Sequence, residues 1–166
     1  MIKDLLVKSV PKSFQDTLFV RFFGFMKVPL IFYVSPRVIR LDDQECVIKI
    51  PLNRRTKNHL NSMYFGVLAT GADLAGGLVA MKEITNAKKK VALSFKDFHA
   101  EFLKRAEGDV HFVCTQIPEI KKFVAEVIAS GERMNFPVNI EAIVPSLGPE
   151  PVAKFVLTLS LKLKAG

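Results

Sequence analysis

Residues 58–77 read "NHLNSMYFGVLATGADLAGG", and they restrict the fold more than any other stretch of this 166-residue chain. After an aromatic-glycine step the segment continues as a helix over about 64 to 82, built almost wholly from small and aliphatic residues. A helix apolar all round belongs in an interior. This one carries a single carboxylate, Asp73, and an isolated buried charge costs several kcal/mol unless something partners or uses it.

The remaining chain supplies strands to bury that helix. "PRVIRLDDQECVIKIPL" places two β-rich runs about the polar turn "DDQE" and reads as a hairpin. "KVALSFKDFHAEFLKRA" and "DVHFVCT", separated by "EGD", read as a second hairpin. "FPVNIEAIV" and "PVAKFVLTLSLKLK" form a third, and in the latter Ala153, Phe155, Leu157, Leu159, Leu161 and Leu163 alternate with wetter positions, so one face is buried. "TQIPEIKKFVAEVIASG" predicts an amphipathic helix, with Thr115 as its cap, Pro118 in its first turn and Gly131 at its stop. One or two short helices over about 12 to 33 come first, and their run "LFVRFFGF" suits either a greasy cavity lining or a membrane surface. The expected architecture is α+β: one antiparallel sheet of about six strands curved around one long central helix, in a single domain over 1–166, with a helical extension over 1–35 and a core over 36–166.

Net charge, +8 from 24 Lys and Arg against 16 Asp and Glu, favours anionic partners. No zinc finger, helix-turn-helix or RNA-binding aromatic signature accompanies it, so nucleic acid is not the expected partner. Arg21 and Lys27 break the N-terminal apolar runs well short of the roughly 18 residues of a membrane span. Asp4, Lys8 and Pro11 likewise interrupt any signal-peptide core. Cys46 and Cys114 lie far apart along the chain and read as small buried thiols, and His59, His99 and His111 form no metal-ligand pair. A cytoplasmic protein without a metal or resident cofactor is expected.

Asn58, His59, Gly66, Ala72, Asp73, Ala75 and Gly77 match the motif of the phenylacetate-pathway branch of acyl-CoA thioesterases, approximately N-H-x-G-x-x-H-G-G followed by L-A-D-x-A-x-G. The chain therefore resembles that branch of the hotdog-fold superfamily. "LNRRTKNHLNSMYFG" followed by "GADLAGG" resembles still more closely a bacterial hotdog group catalogued as a domain of unknown function. The order of elements fits over about 36–164, while the specific motif covers about 20 residues. Two positions depart from the pattern: Asn61 replaces the first motif glycine, and Tyr64-Phe65-Gly66 replaces His-Gly-Gly. A tyrosine, with a free pKa near 10, is no neutral-pH base, so Tyr64 is read as pocket wall.

The resemblance implies a hotdog fold, a hydrophobic acyl-CoA thioester as substrate, and a composite site between subunits of a homodimer or of a tetramer built from dimers. Coenzyme A would arrive as part of the substrate. In such a site Asp73 is the nucleophile or general base, the amides of Phe65 and Gly66 hold the oxyanion, and Asn58 positions the water or the carboxylate. Gly66, Thr70, Asp73 and Gly77 fall at i, i+4, i+7 and i+11 and share one helix face. Gly66 and Asp73 are nonetheless about 10 Å apart along the axis, so one helix cannot bring both to one thioester carbon, whereas two antiparallel helices in a dimer can. His59 and Thr70 join Tyr64 as candidate substrate contacts, and Arg54, Arg55 and Lys57 are candidates for the phosphates of coenzyme A. The residues also admit plainer roles: Asp73 as a hydrogen-bonded interface residue, Asn58 as a loop cap, His59 as a packed side chain, the basic residues as solvated surface. The protein would then be a non-catalytic acyl-CoA or lipid-binding hotdog protein. A hydroxyacyl dehydratase fits less well, because His59 precedes the helix on which such a base would stand.

Overall fold

In the computed structural model, which describes residues 11–164, helices α1 (Lys12–Lys27) and α2 (Pro29–Tyr33) lead into strands β1 (Arg37–Leu41) and β2 (Cys46–Ile50). Then come α3 (Phe65–Asn86), β3 (Val91–Phe102), β4 (Val110–Cys114), α4 (Ile117–Ser130), β5 (Met134–Ile143) and β6 (Pro151–Leu163). The six strands form one antiparallel sheet in the order β1-β2-β4-β5-β6-β3. Packed against it lies α3, the small-residue helix, whose end at Asn86 runs four residues past the one its sequence pattern predicts. This is the hotdog arrangement that the resemblance implies.

Small residues explain the fit. A Cβ placed on Gly71 would overlap the ring of Phe112 on β4, which is fully buried, so the sheet touches the helix backbone there. By length and composition α3 could cross a membrane, yet 67% of its most apolar window is buried inside the protein, the condition of a core helix. One hydrophobic core runs from Val20 to Leu161.

Two of the three expected hairpins form. Between β1 and β2 the turn closes through Asp42, whose Oδ1 accepts the Gln44 and Glu45 amides at 2.8 and 3.0 Å. β5 and β6 pair as expected. The second hairpin does not exist: β3 pairs only with β6, and β4 sits between β2 and β5. Burial gives the reason. Val110, Phe112 and Cys114 are each fully buried, which suits the middle of a sheet, whereas Lys96, Asp97, His99 and Glu101 of β3 are exposed, which suits an edge. That insertion also makes Cys46 and Cys114 direct cross-strand partners, both free and both buried.

Thr115 does not cap α4. Gln116 occupies the cap position without a side-chain bond to the helix, and its Oε1 instead accepts Asn139 N at 2.7 Å, tying the helix start to β5. Gly131 ends the helix as expected, in the left-handed conformation (φ 74°).

The N-terminal helices are fastened to the sheet edge. Val38 N donates to the Thr17 hydroxyl at 2.9 Å, and Arg21 donates to the carbonyls of Pro36 and Ser35 at 3.1 and 3.3 Å. Lys82 of α3 reaches Asp16 at 3.4 Å. Gly24 lets α2 fold back against α1, since a Cβ there would stand 2.7 Å from Phe32 N.

Candidate functional site

The loop before α3 is held by a small set of hydrogen bonds. Thr56, fully buried, accepts the Asn53 amide at 2.9 Å and donates to Pro51 O at 2.6 Å. Tyr64 N donates to Thr56 O, and Met63 N to Ala106 O, both at 2.8 Å. Asn58 organises the turn between them: its Oδ1 accepts the Leu60 and Ser62 amides at 2.8 and 3.3 Å, and its Nδ2 donates to Ser62 Oγ at 3.1 Å. Asn61, standing where the motif has glycine, adopts φ 59°. Asparagine is among the few residues that tolerate this left-handed region, so the exchange preserves the backbone path.

Tyr64 precedes α3 in an extended conformation and makes no side-chain cap. The Phe65 and Gly66 amides donate to no acceptor among the described residues, as the opening of an uncapped helix leaves them. Tyr64's ring lies 4.7 Å from that of Phe65 and close over Gly66, where a Cβ would come within 2.7 Å of it. Asn58, His59, Tyr64 and Phe65 line an open cleft of about 420 Å³, closed on its other side by Phe102 and Arg105. His59 is exposed, so it is not a packed core histidine.

Asp73 lies elsewhere, in an apolar cavity of about 250 Å³ whose walls include Leu74, Gly77 and Leu78 of α3 and Leu93 and Phe95 of β3. Its carboxylate has no hydrogen bond or ion pair among the described residues, and burial pushes its pKa up to about 6. Within one chain, then, the cleft residues come together and Asp73 does not join them. Thr70 is buried between the two places, and its hydroxyl donates to Gly66 O at 2.8 Å.

The basic residues divide. Arg54 and Lys57 border a third open cleft of about 510 Å³ beside Asn61, to which the Lys57 ammonium donates at 3.0 Å. Arg55 turns away and places its guanidinium 5.5 Å from the centre of the Tyr33 ring. None of the three forms an ion pair among the described residues.

Sequence reasoning did not find the far wall of the Asp73 cavity. It comes from Phe23 and Ile31 of the two N-terminal helices and from Val28 at the step between them. The aromatic density of "LFVRFFGF" signalled a cavity lining without saying which cavity.

No functionally curated protein matches the sequence. Solved structures do resemble the fold. A protein of unknown function from Pseudomonas aeruginosa, described as a probable thioesterase, is 21% identical and matches with a TM-score of 0.72 over 89% of this chain and 96% of its own. A protein of unknown function from Chlorobaculum tepidum is 12% identical, with a TM-score of 0.78 over 92% and 97%. A thioesterase of Haemophilus influenzae, also 12% identical, has a TM-score of 0.60 over 81% and 82%. At these identities the likeness establishes the fold. The family described as a domain of unknown function, DUF4442, matches residues 16–153, from α1 to β6. By that match, which takes in the motif loop, the Asp73 helix and strands β1 to β5, this chain belongs to the DUF4442 family.

Proposed function

We propose that the protein hydrolyses a hydrophobic acyl-CoA thioester at a site shared by two subunits. The observation that carries this reading is Asp73: a carboxylate without a protein partner among the described residues, set in an apolar cavity, with a pKa pushed up to about 6. A structural carboxylate in such a place would be paired. An unpaired one that titrates near neutrality suits a general base or nucleophile.

The second half of the site would come from a second copy. β3 is a 12-residue edge strand with one side unpaired, and Phe98, Phe102 and Leu103 are exposed along or just beyond it. Such an edge is a template for pairing with another chain. Antiparallel pairing of β3 with its own copy, centred on His99 and with the extra residue between Phe95 and Phe98 taken up as a bulge, would set Phe95, beside Asp73, opposite the partner's Phe102, which borders the Phe65 cleft. Asp73 of one subunit would then approach the unpaired Phe65 and Gly66 amides of the other.

In that geometry the acyl chain occupies the apolar cavity and the thioester carbonyl points at the helix start. Asp73 takes a proton from water, whose oxygen bonds to the carbonyl carbon, or attacks that carbon itself to give an anhydride that water then opens. The developing oxyanion accepts from the two amides at the positive end of α3. The carbon–sulfur bond breaks, and coenzyme A leaves as its thiol with a carboxylic acid as the other product. Asn58, committed to the loop through Ser62 and Leu60, acts chiefly by fixing the helix start. Tyr64 and His59 shape the cleft wall, Thr70 supports the Gly66 turn, and Arg54 and Lys57 meet the phosphates of coenzyme A, while Arg55 stays over Tyr33.

A hydrolysis screen across acyl-CoA chain lengths, followed by free thiol release, tests the proposal. Turnover at one range of chain lengths supports it. Saturable binding at every length without turnover would leave an acyl-CoA-binding protein, with Tyr64 in the histidine position as the reason.

A further inference from the structure

The outer face of α1 serves neither the core nor the cavity. Phe14, Leu18, Phe22 and Phe25 fall at i, i+4, i+8 and i+11, forming one stripe, and are 54%, 53%, 66% and 63% exposed. Phe19 and Met26 widen the stripe, and Phe32 of α2, its ring 5.4 Å from Phe25, continues it to Tyr33. Isolated exposed apolar residues need no explanation, whereas a contiguous aromatic face marks an interaction surface.

We propose that this face docks on the surface of a membrane containing anionic lipid. Charge selects that occupant. Between residues 11 and 40 the basic residues are Lys12, Arg21, Lys27, Arg37 and Arg40 against the one acidic residue Asp16, and of these Arg40 is paired with Asp42 and Glu45, which leaves the other four. Asp16 is itself drawn inward to Lys82. Lys12 and Lys27 stand exposed at the two ends of α1, and Arg55, held over Tyr33, links the further basic loop of Arg54 and Lys57 to the aromatic face. Aromatic side chains with basic residues at their border suit the boundary between headgroups and acyl chains. A second copy suits it poorly, since a two-fold contact between antiparallel α1 helices would set Lys12 against the partner's Lys27.

The surface also meets the interior. Val28 is 39% exposed and at the same time lines the Asp73 cavity, so the cavity borders the docking face. An acyl chain held in a bilayer would have a short apolar path to it. That delivery role rests on the proposed hydrolysis, while docking itself requires no turnover.

The test is flotation of the full chain with vesicles of phosphatidylglycerol and, separately, of phosphatidylcholine alone. Docking predicts binding to the anionic vesicles that is at least about tenfold tighter than to the neutral ones and weakens as salt is raised. The double variant Phe22→Ser, Phe25→Ser, whose side chains line neither the cavity nor the clefts, should lose about tenfold or more of that binding. Its circular dichroism and its handling of a short-chain, water-soluble acyl-CoA should not change. Failure of the native protein to float with phosphatidylglycerol, or undiminished binding by the double variant, overturns the proposal. So does a native protein that ignores both vesicles but sediments as a smaller species once the two phenylalanines are replaced, which would give the face to a second copy.

Discussion

Phe112 of β4 presses its ring onto the backbone of α3 at Gly71, leaving no room for a Cβ between them. The neighbouring Gly76 is different: a Cβ there would meet Val138 and Ile140 at 3.7–4.0 Å, ordinary contact distances. Gly71→Ala should therefore destabilise by about 1–3 kcal/mol through overpacking. Gly76→Ala should be neutral or stabilise by up to about 1 kcal/mol through helix propensity. Urea unfolding of both variants distinguishes a sheet seated on the helix at one point from a helix that needs glycine throughout.

Asp73→Asn keeps the size of the side chain and removes its charge. Fold and acyl-CoA affinity should persist while hydrolysis falls by about 10² to 10⁴, the usual worth of general-base assistance, or further if the carboxylate is the nucleophile. Tyr64→Phe should cost about tenfold or less, as the loss of one hydrogen bond would. Full activity in the Asp73→Asn protein would refute the mechanism without touching the fold.

The same carboxylate gives a pH dependence. Burial raises its folded pKa to about 6, against about 3.9 in an unfolded chain. Between those values the folded state holds the extra proton, so Asp73 weakens the protein above about pH 6 and ceases to do so below about pH 4. Asp73→Asn should accordingly raise the melting temperature at pH 8 and leave it unchanged near pH 4. Catalysis should move the other way, with kcat/KM rising through an apparent pKa near 6 as the base form appears. Calorimetry and a pH-rate profile check the two halves separately.

Neutralising Arg54 and Lys57 should weaken acyl-CoA binding, and more at low salt than at high salt. A pantetheine thioester, which lacks the nucleotide, should bind the variants almost as well as the native protein. Arg55→Gln should have a smaller effect on either ligand, because its guanidinium sits over Tyr33 instead of the cleft. Titration calorimetry with both ligands decides whether this cluster recognises phosphate.

If β3 pairs with a second copy, the native protein sediments as a dimer or a tetramer at micromolar concentration. Placing charges on the edge with Phe98→Glu and Phe102→Glu should shift it toward monomer and abolish hydrolysis together, since each subunit alone holds half of the site. A native monomer that hydrolyses acyl-CoA would eliminate the shared site.

Local patterns in the sequence determined the elements. Period-two alternation in "PVAKFVLTLSLKLK", the polar turn in "DDQE" and the all-apolar run after Tyr64 each encode their structure within a few residues, so the strands, two of the three hairpins and the central helix were legible there. The singular position of Asp73 was legible for the same reason, as a lone carboxylate on an apolar helix, and the structure sets it in an apolar cavity. Only the tertiary structure decided which strands neighbour one another. β4 lies between β2 and β5 because its inward side chains need complete burial, and a short turn before it carries no information about that competition. Likewise, no local feature tells α1 to lay Phe23 over the Asp73 cavity while leaving Phe22 and Phe25 outside. Both faces of that helix are apolar, so its own sequence does not choose an inner side. Thr17 and Arg21, by bonding to the backbone of residues 35–38, make the choice.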